Sequence, residues 1–177
     1  MFLLKEKRQG YAYIMQRGCA CLLFFLWGCL LVFPPAEGAF FAAFGILSAA
    51  AGVADLETRQ IPPPLCLSIG ILGILKLCLL DRQPVLHLLG AVIVSVFFFL
   101  IGRLFPAGFG GGDVKLIASS SLFLEWMPLL QGVFTGCLLA ACAGVMQWLL
   151  RRKIWNCELA FAPFLTVGFL FAVLYGC

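Results

Sequence analysis

The chain has 177 residues, of which 63% are hydrophobic and only 11% are charged. Soluble globular domains carry about 25% charged residues, so this composition excludes that class and indicates an integral membrane protein. The formal net charge of +4 does not indicate a nucleic-acid partner, because the basic residues are spread over short polar connections. These connections are too short to form a soluble domain, and we predict a single transmembrane domain over residues 1–177.

Apolar runs of near membrane-spanning length follow one another along the whole chain. They lie near residues 18–33, 38–54, 64–80, 85–105, 114–127, 128–150 and 158–176. Several are shorter than the roughly 20 residues that a perpendicular helix needs, so some are expected to be short, re-entrant or fused. We therefore predict an all-α fold, a polytopic bundle of six or seven transmembrane helices in contact with the lipid bilayer.

The basic residues set the predicted orientation. Most of them fall on one side of the membrane if the N-terminus is cytoplasmic and seven spans alternate. Because cytoplasmic loops carry an excess of Lys and Arg, residues 1–16 are predicted to be a cytoplasmic tail. Lys76 lies near the outer end of its span and is expected to extend to the interface. In the outer turn we expect Asp81 to be solvated, and we expect His87 to be interfacial or packed.

Two aspartates stand at equivalent points of two predicted crossings. Asp55 ends one apolar run, and Asp113 follows the triple glycine at 110–112. Two apolar runs, 64–80 and 85–105, separate the two aspartates. Because two crossings return a chain to the face that it left, both carboxylates are predicted to lie at the same, cytoplasmic face.

The residues beside each aspartate indicate the local shape of the chain. Three prolines from Pro62 onward hold the segment after Asp55 extended. The glycines at 110–112 permit positive φ angles and the close approach of another backbone. We expect Asp113 to begin the next helix, whose positive dipole end favours an ionised carboxylate, and Lys115 could help to keep it ionised. Taken singly, either aspartate could instead cap or end a helix in the headgroup region.

A pair of carboxyl groups can hydrolyse a peptide bond without a covalent intermediate. The ionised group takes a proton from water, and the protonated group donates one to the scissile carbonyl. Two carboxyls a few ångströms apart do not both ionise readily, so they titrate as a pair. The pattern therefore predicts a membrane aspartyl protease with Asp55 and Asp113 as catalytic residues and with no metal or cofactor. The nine cysteines include no Cys-x-x-Cys pair and are interpreted as packing residues.

At these residues the chain resembles the type IV prepilin peptidase family, a class of Gly-x-Gly-Asp membrane aspartyl proteases. Residues 110–115 fit the family's Gly-x-Gly-Asp-x-Lys block, and residues 55–62 fit its Asp-x-x-Thr/Arg-x-x-Ile-Pro block. Residues 163–168 are similar to its Pro-Phe-x-x-x-Gly segment. The resemblance implies that Asp55 and Asp113 are the catalytic pair. It implies supporting roles at the substrate loops for Gly110, Gly112, Lys115, Thr58, Arg59 and Pro62.

The resemblance also implies a substrate and a location. The substrate would be a prepilin or pilin-like precursor, cut at the cytoplasmic face of a prokaryotic plasma membrane between a short basic leader and a hydrophobic helix. Bifunctional members also methylate the new N-terminus and carry an insertion with paired Cys-x-x-Cys motifs, which this sequence lacks. The chain is more similar to the short, peptidase-only branch that serves tight-adherence or Flp-type pili, and methyltransferase activity is doubtful. Pro63 departs from the asparagine that many relatives have after Ile-Pro.

Two other functions are compatible with the same residues. A small transporter or channel could use membrane-edge aspartates for proton or cation coupling. A pilus-assembly subunit could keep the pair without activity. The transporter alternative predicts ion-dependent flux and no loss of substrate processing when either aspartate is changed. The oligomeric state is left open.

Overall fold

The computed structural model describes residues 34–81, 83–104, 110–150 and 160–176. All regular structure in these ranges is helical, which confirms the predicted all-α fold. The predicted run at 18–33 and the tail at 1–16 lie outside the described residues. The described helices are α1 (Pro35–Thr58), α2 (Pro63–Leu79), α3 (Pro84–Leu104), α4 (Gly111–Ser121), α5 (Trp126–Leu150) and α6 (Ala162–Gly176).

Three of the described helices have the length and composition to cross a membrane, namely Pro35–Thr58, Pro84–Leu104 and Trp126–Met146. Two others, α2 and α6, are apolar but shorter. The apolar run predicted at 114–127 is divided, because α4 ends at Ser121 after 11 residues and a turn precedes α5. At about 1.5 Å per residue, α4 is too short to cross a bilayer core. The described helices together fit a transmembrane bundle.

Prolines determine where three helices begin. The first residues of α1, α2 and α3 are Pro35, Pro63 and Pro84. Proline suits this position because the first N–H of a helix has no intrahelical acceptor. After α1 the chain turns at Arg59, the one described non-glycine residue with a positive φ, 54°. The N–H of Arg59 donates to the carbonyl oxygen of Asp55 at 2.9 Å.

The core joins α1 to the turn between α4 and α5. Phe44 of α1 stacks on Phe123 with ring centroids 4.4 Å apart, and Phe41 meets the same ring edge-on at 5.5 Å. Lys76 of α2 was expected to extend to the interface, but it turns inward. Its Nζ donates to the carbonyl oxygen of Phe123 at 3.0 Å and lies 4.8 Å from that ring's centroid. Lys76 therefore links α2 to the turn that follows α4.

Glycines bring α5 and α6 together. Gly132 and Gly136 of α5 lie against α6, and a Cβ added to Gly168 would overlap the carbonyl oxygen of Gly132. Small residues allow this close backbone approach between helices in membranes. On its other side α6 packs along α1. The position of α6 is therefore set by two neighbours, and its first turn lies against the end of α1.

A polar cluster joins two turns at the end of the bundle farther from Asp55. His87 is buried, with Nδ1 2.5 Å from Oδ2 of Asp81 and Nε2 3.2 Å from the carbonyl oxygen of Leu124. Both ring nitrogens of His87 therefore have a hydrogen-bond partner, a carboxylate at Nδ1 and a backbone carbonyl oxygen at Nε2. The expectation that Asp81 is solvated is wrong, because its carboxylate is half-buried and paired. His87 was expected to be interfacial or packed, and it is packed in the interior.

Candidate active site

Three helix termini meet at the opposite end of the bundle. Asp55 lies in the last turn of α1, and Asp113 lies in the first turn of α4. Both residues are buried, with 9% and 8% of their surface exposed. The charge of Asp55 acts on Asp113, so the two side chains are close enough to interact electrostatically. We refer to Asp55 and Asp113 as the carboxyl pair; α2 and α3 lie between them in the sequence, as predicted.

The first residue of α6 binds Asp55. The backbone N–H of Ala162 donates to Oδ2 of Asp55 at 3.2 Å. The first N–H groups of a helix lack intrahelical acceptors, and Asp55 satisfies one of them. The positive end of the α6 dipole also favours a negative charge at this point. In the sequence, the segment that follows Ala162 is recognisable only by its family likeness, and no role in the site was predicted for it.

Asp113 is the third residue of α4, three positions after the N-cap residue Gly110. Its carboxylate turns back to the backbone of Gly110, as an acidic residue does in a capping box. Burial and the charge of Asp55 nevertheless raise the pKa of Asp113 to about 6. The expected stabilisation of the ionised form at the helix start is therefore outweighed by desolvation and by the neighbouring carboxylate.

The connection between α1 and α2 packs onto the start of α4. Ile61 of this connection is buried, and a Cβ added to Gly112 would lie 3.3 Å from its Cγ1. The glycine at 112 thus lets the loop that follows Asp55 lie against the helix start that carries Asp113. The glycines do not use the positive φ angles that they permit, because none of the described glycines has one and Gly110 has a φ of −66°.

Three of the predicted supporting residues shape the α1–α2 connection. The hydroxyl of Thr58 lies 2.8 Å from the carbonyl oxygen of Ala54 and 3.0 Å from that of Gln60, and can donate to either. Arg59 turns the chain through its left-handed backbone, and Pro62 is the N-cap residue of α2. These residues therefore set the backbone conformation of the connection between Asp55 and α2.

Lys115 lies on α4 where its charge reaches α2. Its side chain is exposed on α4, and its charge acts on the thiol of Cys66 in α2. The groups that shift the pKa of Asp113 are its buried surroundings, Asp55 and the backbone of Gly110. The suggested help of Lys115 in ionising Asp113 stays a prediction.

Comparison with known proteins relates both aspartates to one family. Residues 39–145, which include the carboxyl pair, match the model of the type IV leader peptidase family. The chain is 30% identical over 157 residues to a prepilin leader peptidase/N-methyltransferase of Burkholderia pseudomallei (strain 1026b), covering 84% of this chain and 50% of that protein.

A second relative bearing the same name, from Bacillus subtilis (strain 168), is 35% identical over 89 residues, covering 50% of this chain and 36% of that protein. The chain thus spans about half the length, or less, of these curated relatives. No solved structure gives a significant match. The family model matches more than half of the chain, and the resemblance carried by the two aspartate motifs is confirmed: the chain belongs to the type IV leader peptidase family.

Proposed function

We propose that this chain is an aspartic endopeptidase that removes the leader from prepilin or pilin-like precursors. The observation that carries the proposal is the burial of two carboxyl groups from distant segments in unequal surroundings. Asp55 accepts an amide N–H at a helix start, while the pKa of Asp113 is raised to about 6. A base and an acid that act together need such different environments. The matched relatives are named prepilin leader peptidases, which supports the substrate class.

In the proposed mechanism Asp55 is the general base and Asp113 is the general acid. Asp55 takes a proton from a water molecule, and the resulting hydroxide attacks the carbonyl carbon of the scissile peptide bond. Asp113 gives its proton to the carbonyl oxygen. Collapse of the tetrahedral intermediate breaks the carbon–nitrogen bond, as Asp55 returns its proton to the leaving nitrogen and Asp113 regains one from a hydroxyl.

We further propose that the carboxyl pair faces the cytoplasm in a prokaryotic plasma membrane. The bias of basic residues and the three helices able to cross a membrane support this orientation. A basic leader is retained on the cytoplasmic side by the same rule, so its cleavage bond would lie near the pair. The proposal is limited to peptidase activity of the tight-adherence or Flp type, because the sequence has no paired Cys-x-x-Cys motifs.

The test is co-expression with pilin-like precursors from the same genome, with leader removal followed by mass spectrometry. Asp55→Asn and Asp113→Asn should each abolish cleavage, because each removes a titrating group at nearly constant shape. Asp81→Asn is the matched control, since this aspartate lies at the opposite end of the bundle. Cleavage at the parental rate by either pair variant would overturn the assignment. If the parent chain is inserted in the membrane but cleaves none of the precursors, the transporter or the inactive subunit would be favoured.

A further inference from the structure

One turn into α6, a second contact ties this helix to α1. Thr166 is buried, with 5% of its surface exposed. Its hydroxyl lies 2.8 Å from the carbonyl oxygen of Ala162 and 3.1 Å from that of Ser48, and can donate to either. A bond to the preceding turn of the same helix is common for threonine. The contact with Ser48 is not local, because it joins α6 to α1 across 118 positions.

The two helices fit closely along this contact. Ser48, Gly52 and Asp55 are spaced to lie on one face of α1, and all three are buried. A Cβ added to Gly52 would lie 2.9 Å from Oγ1 of Thr166 and 3.3 Å from Cα of Pro163. A larger residue at position 52 would therefore push the first turn of α6 away from α1.

The bond between Ala162 and Asp55 depends on that fit. Its length of 3.2 Å is at the upper end of the usual range for N–H···O hydrogen bonds, which is about 2.7–3.2 Å. A slide or rotation of α6 by about half an ångström would lengthen it beyond that range. The glycine contacts hold α6 against α5, whereas the contacts of Gly52 and Thr166 hold it against α1 between this bond and Ser48.

We propose that Thr166 is a positioning residue of the active site. Its hydroxyl fixes the register of α6 along α1, and this register keeps the N–H of Ala162 hydrogen-bonded to Asp55. Thr166 acts through Ala162, and the amide in turn orients the carboxylate that serves as the base. The kinetic part of this inference rests on the proposed peptidase function. The structural part does not, because the amide contact exists without substrate.

The first test therefore needs no substrate. Amide hydrogen exchange at Ala162 is measured by NMR on the purified, ¹⁵N-labelled chain in detergent micelles. Thr166→Val keeps the shape of the side chain and removes the hydroxyl, so exchange at Ala162 should become at least about tenfold faster. Thr166→Ser keeps the hydroxyl and should exchange at the parental rate. Equal protection in the parent and in Thr166→Val would overturn the proposal, whether or not the chain cleaves prepilin.

The second test measures cleavage kinetics on the same variants. Thr166→Val should lower kcat by about 10- to 100-fold with KM within about twofold, because a misplaced base slows the chemical step without weakening substrate binding. Thr166→Ser should keep most of the parental kcat. A raised KM with an unchanged kcat, or equal losses for valine and serine, would overturn the positioning role. Faster exchange in a chain that processes no precursor would instead overturn only the proposed function.

Gly52→Ala provides an independent variant if Thr166→Val fails to fold. Its Cβ should displace Thr166 and cause both the faster exchange at Ala162 and the loss of kcat. In a Thr166→Ala background the added methyl group has more room. Gly52→Ala should therefore lower kcat and speed exchange at Ala162 by a smaller factor there than in the parent. Gly144→Ala is the control, because a Cβ at that glycine meets no atom within 4 Å. If the effects of the Gly52 and Thr166 substitutions on exchange and kcat were fully additive, the inferred contact would be contradicted.

Discussion

Asp55 and Ala162, separated by 107 positions, are joined by a hydrogen bond from the amide N–H to the carboxylate Oδ2. This bond distinguishes the two members of the carboxyl pair. Asp55 faces a donor at the positive end of α6, whereas Asp113 is buried beside another carboxylate. The two carboxyl groups therefore lie in different surroundings, and acid–base catalysis by two chemically identical side chains requires such a difference.

We predict that cleavage falls as pH rises through about 6. Asp113 is the proposed acid, and burial and the charge of Asp55 raise its pKa to about 6. Above that pH the acid loses its proton, so kcat/KM should fall by up to about tenfold per pH unit. The measurement is the rate of leader removal from about pH 5 to pH 8. A profile that stays flat over this interval would contradict the assignment of Asp113.

The same pKa shift predicts an effect on stability. Because burial raises the pKa of Asp113 from 3.8 to about 6, the folded chain binds this proton more tightly than the unfolded chain does. The associated stability is complete below about pH 4 and is lost as pH rises through about 6. At pH 7, Asp113→Asn should increase the free energy of unfolding by up to about 3 kcal/mol, and this gain should vanish near pH 4. Denaturation in detergent at both pH values measures it, and a less stable variant at pH 7 would refute it.

The glycines at 111 and 112 should respond differently to alanine. A Cβ at Gly112 would lie 3.3 Å from the buried Ile61, whereas a Cβ at Gly111 would meet no atom within 4 Å. Gly112→Ala should therefore shift the α1–α2 loop and lower cleavage several-fold, on the scale of other small displacements at active sites. Gly111→Ala should keep activity and gain up to about 1 kcal/mol in helix propensity. Cleavage rates and melting temperatures of the two variants test this, and equal losses of activity would count against it.

Arg59 should contribute to folding through its backbone conformation. Its φ of 54° suits glycine and disfavours β-branched residues. Both substitutions remove the same guanidinium, so Arg59→Gly should be about 1–2 kcal/mol more stable than Arg59→Val. Chemical denaturation compares the two. If Arg59→Gly is stable but loses cleavage, the guanidinium itself acts on the substrate; if it is as unstable as Arg59→Val, the backbone explanation is wrong.

The polar cluster of Asp81 and His87 should stabilise the fold without affecting catalysis. Partial burial raises the pKa of Asp81, but the hydrogen bond from His87 and the N–H of Gln83 lower it further, and the net shift is downward. This stability is present above the unfolded value of 3.8 and is lost as pH falls through the lower folded value. Asp81→Asn should cost about 1–3 kcal/mol at neutral pH, with kcat unchanged. Unfolding experiments at neutral and strongly acidic pH should show the difference disappearing in acid, and a persistent difference would point to another cause.

Local properties of the chain were sufficient to predict much of the fold. Apolar runs predicted the helices, and prolines such as Pro63 and Pro84 stand at helix starts because ring geometry acts within one turn. The pairing of Asp55 with Asp113 was also predictable, since it required only that two helices connect them. The division of the apolar run at 114–127 could not be predicted from the sequence. The helix ends at Ser121 because the following turn packs against α1, and that contact joins distant segments.

Contacts between distant segments decided the rest. The inward position of Lys76, the pairing of Asp81 with His87 and the amide on Asp55 each join residues whose proximity no local pattern encodes. The protonation state of Asp113 belongs to the same group. Its helix position favours the ionised form locally, but burial and a second carboxylate act more strongly, and both exist only after folding. Residue types and short-range geometry thus set which groups can take part in catalysis, while desolvation and long-range packing set which of them holds the proton.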